Sequence, residues 1–380
     1  MADVLLFGDT ERNPALRHEV PVAIGDPFLY AEVAGTVYVV TSDLERDRIA
    51  AARPDAVLLE YRELGFLELL RAGLSYDEID LELTSRAVKR TGLREAVVEF
   101  GFPLAIADRL RSEGVHLTMD GGSVIGVRRR AKSAPELEGI RRAQAAAEAA
   151  IATAAALFRR AEPVDGTLHL GGEPLLAERV RAEMSAVCAG QGALLPQTVI
   201  VASVWQGTGH EPGSGPLPAG LPIEVDVWPQ DERTSCWADM TRTFVAGGEP
   251  DAEVLRQERL VRTALEQARA AIRPGVLGRE LHDMTCDLFE DAGYRTQRTG
   301  PGDHPSEGFQ FSLGHGVGLR VHEQPSLGQT GGEPLVVGDV LAIEPGLWTR
   351  DVGGVRYEDL VLVTEDGGET LTNYPYELTP

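Results

Sequence analysis

The sequence predicts an α+β protein with a small α/β domain over residues 1–130 followed by a larger mixed domain over residues 131–380. Three observations carry that expectation. At roughly 150 residues per domain, 380 residues exceed what one core ordinarily serves. Short β-rich runs alternate with helical ones up to Arg130, whereas beyond it helices cluster between pairs of strands. Between the two stretches lies Arg128-Arg129-Arg130-Ala131-Lys132, read as a solvated basic linker, and a helix-start signal follows it directly.

In the first stretch, residues 4–7, 20–24, 37–40 and 56–59 read as strands, and 44–52, 76–90 and 104–113 as helices. Ser133-Ala134-Pro135-Glu136 then matches a capping box with proline in the first turn, so a long helix is expected to reach about Arg160. Leu137, Ile140, Ala143, Ala147, Ile151, Ala154 and Phe158 keep helical spacing along it. A helix over 174–189 follows, then strands over 197–204, 221–228 and 235–245. Helices over 251–272 and 278–293 stop at Pro274-Gly275 and Gly293. The last strands are expected around 309–313, 340–344 and 355–363.

Acidic side chains number 59 against 36 basic ones, and the net charge of −23 repels polyphosphate and anionic lipid alike. Neither nucleic acid nor a membrane is expected as a partner. Lysine occurs only at Lys89 and Lys132, the remaining basic charge being arginine. Cys188, Cys236 and Cys286 lie far apart without a CxxC pair, which argues against a disulfide framework and a thiolate zinc site and favours a reducing cytoplasm. The first residues carry Asp3 and Asp9 rather than a basic leader, and no apolar run reaches the roughly 18 residues of a membrane span.

On the strand over 221–228, a period of two puts Ile223, Val225 and Val227 on one face and Glu224, Asp226 and Trp228 on the other. If the turn-rich segment 229–234 closes a hairpin, Asp226 and Asp239 share a midpoint at 232.5, inside the turn. By the same reasoning Glu344 and Glu358 share a midpoint at 351 within the segment 348–354. Like charges placed opposite one another repel, so a positive group is expected between them. Arg356, on the face of Glu358, can neutralise one pair but not both. Four carboxylates with an imidazole make an oxygen-rich site for divalent Mn, Co, Fe or Zn, and carboxylates can bridge two ions roughly 3.5–4 Å apart. The imidazole is expected from His315 in Gly314-His315-Gly316-Val317-Gly318, where glycines let backbone approach closely. The run is not a phosphate loop, since no Lys-Ser or Lys-Thr follows it. His210 and His322 are the further histidines near these segments.

Asp226, Asp239 in Ala-Asp-Met-Thr-Arg-Thr, His315 in Gly-His-Gly-Val-Gly, Glu344 in Ile-Glu-Pro-Gly and Glu358 in Val-Arg-Tyr-Glu-Asp together resemble the five-ligand set of the pita-bread metallopeptidases. That family includes Xaa-Pro dipeptidase (prolidase), aminopeptidase P and methionine aminopeptidase, with creatinase as a metal-free relative. The motifs cover residues 133–380; the first third resembles the creatinase-type N-terminal domain in size and α/β rhythm, which points to the prolidase and aminopeptidase P side. The resemblance implies a pita-bread catalytic domain holding two divalent ions, manganese first with cobalt, zinc or iron as alternatives. Asp226, Asp239, His315, Glu344 and Glu358 would be the ligands, and Glu344 would also move the proton of the bridging water. His210 and His322 match the histidines that hydrogen-bond substrate, and Arg356 matches the arginine behind the ligands. A homodimer acting on short peptides, with proline after the scissile bond, is the implied behaviour.

Asp226 and Asp239 stand thirteen residues apart, two more than the family commonly shows, which keeps both on one face. Proline-specific members usually carry a histidine where Phe311 stands and a tyrosine where Trp348 stands. Those two positions motivate an alternative, a metallohydrolase of this fold acting on a non-proline amide. A non-catalytic binding protein on the same scaffold is the third reading, disfavoured because no ligand is missing.

Overall fold

In the computed structural model, which describes residues 2–203, 210–302 and 304–380, side-chain alternation along β1 (Val4–Gly8) decides the build of the N-terminal unit, Met1–Arg129. Val4 and Leu6 enter one core with Leu16, Tyr30, Val39 and Ile49, while Leu5 enters the opposite core with Leu29, Ala31, Ile79 and Leu110. A strand apolar on both faces needs cover on both, and helices such as Pro14–Glu19 on one side and Tyr76–Thr91 on the other supply it. The remaining strands are β2 (Phe28–Val33), β3 (Thr36–Thr41), β4 (Val57–Glu60), β5 (Glu95–Val98) and β6 (His116–Met119), in the spatial order β4-β3-β2-β1-β5-β6. β1 pairs parallel to β5 and antiparallel to β2, so the sheet is mixed.

Residues 20–24, expected as a strand, are not one. Val20 caps the helix Pro14–Glu19, Pro21 follows without a backbone donor, and the sheet takes Phe28–Val33 instead. Val20 and Ile24 are nevertheless buried, so their apolar signal reported burial rather than pairing.

The second unit, Arg130–Pro380, opens on the expected cap. The Ser133 amide donates to Glu136 Oε2 at 2.8 Å and the Glu136 amide to Ser133 Oγ at 3.4 Å, starting the helix Ala134–Arg160. That helix and Ala177–Gly190 share a core with the antiparallel sheet Ile200–Ser203, Pro222–Val227 and Met240–Val245. Of the strand expected over 197–204, Val204 lies outside the described residues. A second helix pair, Ala252–Ala271 and Gly278–Asp291, shares a core with a five-stranded antiparallel sheet. Its strands run in the order Glu323–Leu327, Gly314–Gly316, Val340–Ile343, Asp359–Val363 and Gly368–Thr370. A short hairpin, Gly346–Thr349 with Gly353–Arg356, continues out of the Val340–Ile343 and Asp359–Val363 strands.

Two further expectations change. Residues 309–313 form no strand; the strand is Gly314–Gly316, threaded between two neighbours. A Cβ at Gly314 would collide with the Ala342 carbonyl and one at Gly316 with that of Gln324, which is why glycine flanks His315. The strand expected over 355–363 breaks between Arg356 and Asp359, and Glu358 sits at the break. Among the described residues no helix is long and apolar enough to cross a membrane.

Candidate metal centre

Asp226 lies on the central strand of the first sheet, opposite Ile200 on one side and Thr241 on the other. The expected pairing with Asp239 is therefore off by two residues: Val227 faces Met240, and Asp239 precedes the strand as a diagonal neighbour of Asp226. The cause lies in the turn, where Asp231 accepts the Thr234 amide and hydroxyl at 2.8 and 2.7 Å and the chain doubles back around Ser235 at φ 63°. A slip of two conserves the face, so both carboxylates still point the same way.

Glu344 and Glu358 meet the expected register. Ile343 faces Asp359 before them and Gly346 faces Arg356 beyond them, so the two glutamates fall opposite one another where ladder gives way to hairpin. The Glu344 amide donates to the Leu313 carbonyl at 2.8 Å, and the Glu358 amide to the Thr241 carbonyl at 3.1 Å. Thr241 Oγ1 also donates to Glu358 Oε2 at 2.7 Å, so the strand neighbour of Asp226 holds the other sheet's glutamate.

These local arrangements bring all five residues together. Ligand atoms of Asp226, Asp239 and Glu358 lie within 4.8 Å of one another, as do those of His315, Glu344 and Glu358, and those of Asp239, His315 and His322. His315 Nε2 is 3.6 Å from Asp239 Oδ2 and 3.5 Å from Glu344 Oε1. Its Nδ1 lies 3.2 Å from the Gly316 carbonyl, an arrangement that suits a proton on Nδ1 and leaves Nε2 as a donor of its lone pair. His322 meets the His315 ring edge-on at 4.3 Å, and His210, exposed, lines the same cavity of about 480 Å3.

The electrostatics are those of too many acids in too little water. Burial and then the neighbouring carboxylates hold Asp239 and Glu358 well above the usual carboxylate range, and burial pushes Glu344 up to about 7. Burial pushes His315 down to about 3, keeping its imidazole neutral, and lowers His322 as well. Arg356 is the counter-charge, and it reaches further than the sequence suggests. Its guanidinium pairs with Asp226 and lies 3.0 Å from Glu224 Oε1 and 3.8 Å from Glu344 Oε2, so it touches one acid of each expected pair. The Arg356 amide is pinned by Thr243 Oγ1 at 3.0 Å, which aims the side chain.

Two participants escaped the sequence argument. Glu224, on the Asp226 face by alternation, is a carboxyl pushed up to about 7 by burial and set against Arg356. Lys132, expected in a solvated basic linker, is instead buried in an ion pair with Glu323, next to His322, as Arg130 is with Asp339, and a Cβ on Gly318 would strike both Lys132 and Glu323. Alternation could have enlisted Glu224; nothing local marks a contact spanning 191 residues.

The donor set suits hard divalent ions, being carboxylate oxygens with one neutral imidazole. The structure adds a direct sign: Asp226 Oδ1 is buried and has no hydrogen-bond partner among the described residues. A buried carboxylate oxygen without a partner costs free energy unless something positive meets it.

Comparison with known proteins agrees. The model of "Metallopeptidase family M24" matches residues 138–365. Xaa-Pro dipeptidase of Pyrococcus furiosus is 38% identical over 141 residues, 37% of this chain and 37% of that protein, so the alignment spans little more than a third of the relative. Among solved structures, Xaa-Pro dipeptidase from Bacillus anthracis superposes with a TM-score of 0.78 at 22% identity, covering 100% of this chain and 94% of that one. X-Pro aminopeptidase from Thermotoga maritima gives 0.74 at 21%, covering 100% and 95%. At such identities the likeness is one of fold: an N-terminal domain followed by a pita-bread catalytic domain.

Proposed function

The chain belongs to metallopeptidase family M24, and from that premise we propose that it releases the N-terminal residue from dipeptides or short peptides, with proline after the scissile bond as its default substrate. The observation that carries the reading is the convergence of Asp226, Asp239, His315, Glu344 and Glu358, with their ligand atoms in overlapping groups within 4.8 Å. Those five residues would hold two divalent ions, manganese first, because four carboxylates and one neutral imidazole supply donors enough for two hard ions. Bound there, the ions would supply a water of lowered pKa and polarise the scissile carbonyl.

The residues of the chain do the rest. Glu344, which lines the cavity with its Oε1 3.5 Å from His315 Nε2, is placed to take and return a proton there. Neutral His322 and the cavity-lining His210 offer N–H donors to the substrate carbonyl and to the oxyanion that develops from it. Arg356 offsets the charge of Asp226 and Glu344 from behind and holds both carboxylates in place. A homodimer in a reducing cytoplasm completes the proposal; the burial of free Cys188, Cys236 and Cys286 supports the compartment.

The test uses protein stripped of metal and reloaded with Mn, offered Ala-Pro, Met-Pro, an Xaa-Pro tripeptide and a non-proline dipeptide. Cleavage confined to the proline substrates and lost on chelation is expected. A second reading, hydrolysis of a different amide, is favoured by Phe311 and Trp348, which line the cavity where polar groups are usual in proline-specific relatives. Cleavage of the non-proline peptide alone would establish it.

A further inference from the structure

Trp348 stands on the hairpin strand Gly346–Thr349 and faces Gly354 across it. A Cβ at Gly346 would lie 2.6 Å from the indole Cζ3, and one at Gly354 would overlap the ring, so the two glycines leave bare backbone as a bed for the indole. Phe311 meets that indole edge-on, with centroids 5.5 Å apart and planes at 68°. Behind Phe311 stands fully buried Phe309 at 4.9 Å, itself edge-on to Phe289 at 5.4 Å. The two front rings stay partly exposed and line the cavity shared with His315 and Glu344.

We propose that Phe311 and Trp348 form an apolar specificity subsite that selects a large uncharged aliphatic or aromatic side chain next to the scissile amide, an inference that rests on the peptidase reading above. A seated indole and a backed phenyl ring lose little freedom when a ligand covers them, so apolar contact there turns efficiently into selection. A charged side chain fares differently. Arg356, a cation lining the same cavity, holds Glu224 and Asp226 through Nη2, and Glu344 lines that cavity as well, so an acidic side chain laid on the rings would lose water and meet another carboxyl.

The experiment uses the Mn-reloaded protein and two dipeptide series, Xaa-Pro and Ala-Xaa, with Gly, Leu, Phe, Asp or Lys at the varied position. In at least one series, kcat/KM for Leu or Phe should exceed that for Gly, Asp and Lys by at least about tenfold. Trp348→Ala and Phe311→Ala should compress that ratio to below about threefold, and Trp348→Phe should retain most of it. Equal rates for Gly or Asp, a preference for Lys over the glycine and acidic residues by attraction to the rings, or an unchanged ratio in both alanine variants would overturn the proposal. An independent arm titrates metal-free protein with leucinamide and with aspartamide while following tryptophan fluorescence. A saturable change with leucinamide that disappears in Trp348→Phe is expected; no difference between wild type and that variant would overturn the subsite. Should no peptide be cleaved, the peptidase reading fails, while the fluorescence arm still decides the subsite.

Discussion

Two clusters of buried charge sit one residue apart along the same two segments and have opposite characters. Thr241 and Glu358 belong to the candidate metal centre; Arg242 and Asp359 follow them directly and turn the other way. Arg242 is 1% exposed, yet its guanidinium donates to Asp359 Oδ1 at 3.0 Å and to the carbonyls of Thr241, Glu358, Tyr374 and Pro375, and it lies 4.6 Å over the Tyr376 ring. Asp359 also accepts from Arg269 at 3.1 Å and from the Tyr376 hydroxyl. In that cluster the charges are paired and the hydrogen-bonding capacity is filled, which is what a structural buried ion pair requires. Across the strand, four carboxyls share one imidazole and part of Arg356, and Asp226 Oδ1 has no partner among the described residues. The lesson is that satisfied buried charge builds a fold, while buried charge left unbalanced on the same backbone is capacity reserved for a ligand.

The comparison can be broken most forcefully by neutralising each side in turn. Asp239→Asn should lower peptidase activity by about a thousandfold and remove bound metal, while raising the melting temperature of the metal-free protein by roughly 2–4 °C because the folded state no longer has to protonate or crowd that buried carboxyl. Elemental analysis, peptide assay and melting together check it; a less stable metal-free variant would contradict the claim of imbalance. Arg242→Met should do the reverse, costing about 3–5 kcal/mol in denaturant unfolding by leaving Asp359 with Arg269 alone as its cation and four carbonyls without that donor, with metal content per folded molecule retained.

Finer tests sharpen the contrast. Thr241→Val removes the 2.7 Å donor to Glu358 and should weaken metal binding by about tenfold, read by competition with a chelating dye. The smallest effect is on pH. Glu344 and Glu224 stand near 7 in the folded chain, above their ordinary values, so the folded state binds more protons than the unfolded one between those values. Their stabilisation is present at low pH and lost as pH rises through about 7. The lowered His315 and His322 pull oppositely while the unfolded imidazoles give up their protons around pH 6.5, a pull already half spent at that pH. Metal-free protein should therefore melt a few degrees lower at pH 8 than at pH 6.5, and saturating Mn should reverse the order, because the ligands bind it deprotonated. A metal-free melting temperature that rises over this interval would show that the acids are not repelling one another.

Legibility in the sequence follows the range of the interaction. The capping box at Ser133 and Glu136 is set by residues three apart and forms as read. The Glu344–Glu358 register is legible because one hairpin joins the strands and both ladders keep its register. The Asp226–Asp239 register slips by two because side-chain hydrogen bonds from Asp231 and Thr234 reshape the turn, and the site survives because faces alternate with a period of two. Residues 309–313 misled as a strand since burial beneath the helix pair, rather than pairing, made them apolar.

By itself the sequence determined the five candidate ligands, their grouping into two acidic strand pairs and the α+β order of the elements, since periodicity and chain order act over a few residues. Only the tertiary structure decided that Arg356 spans both pairs, that Glu224 joins it, that Lys132 and Glu323 brace the segment of His322, and that the indole of Trp348 has a glycine bed. The first three depend on segments distant in sequence being laid side by side, and the fourth on how the indole folds over its own hairpin. A side chain's partner, and so the charge it carries in the folded chain, is then set by what the fold brings within hydrogen-bonding distance and away from water.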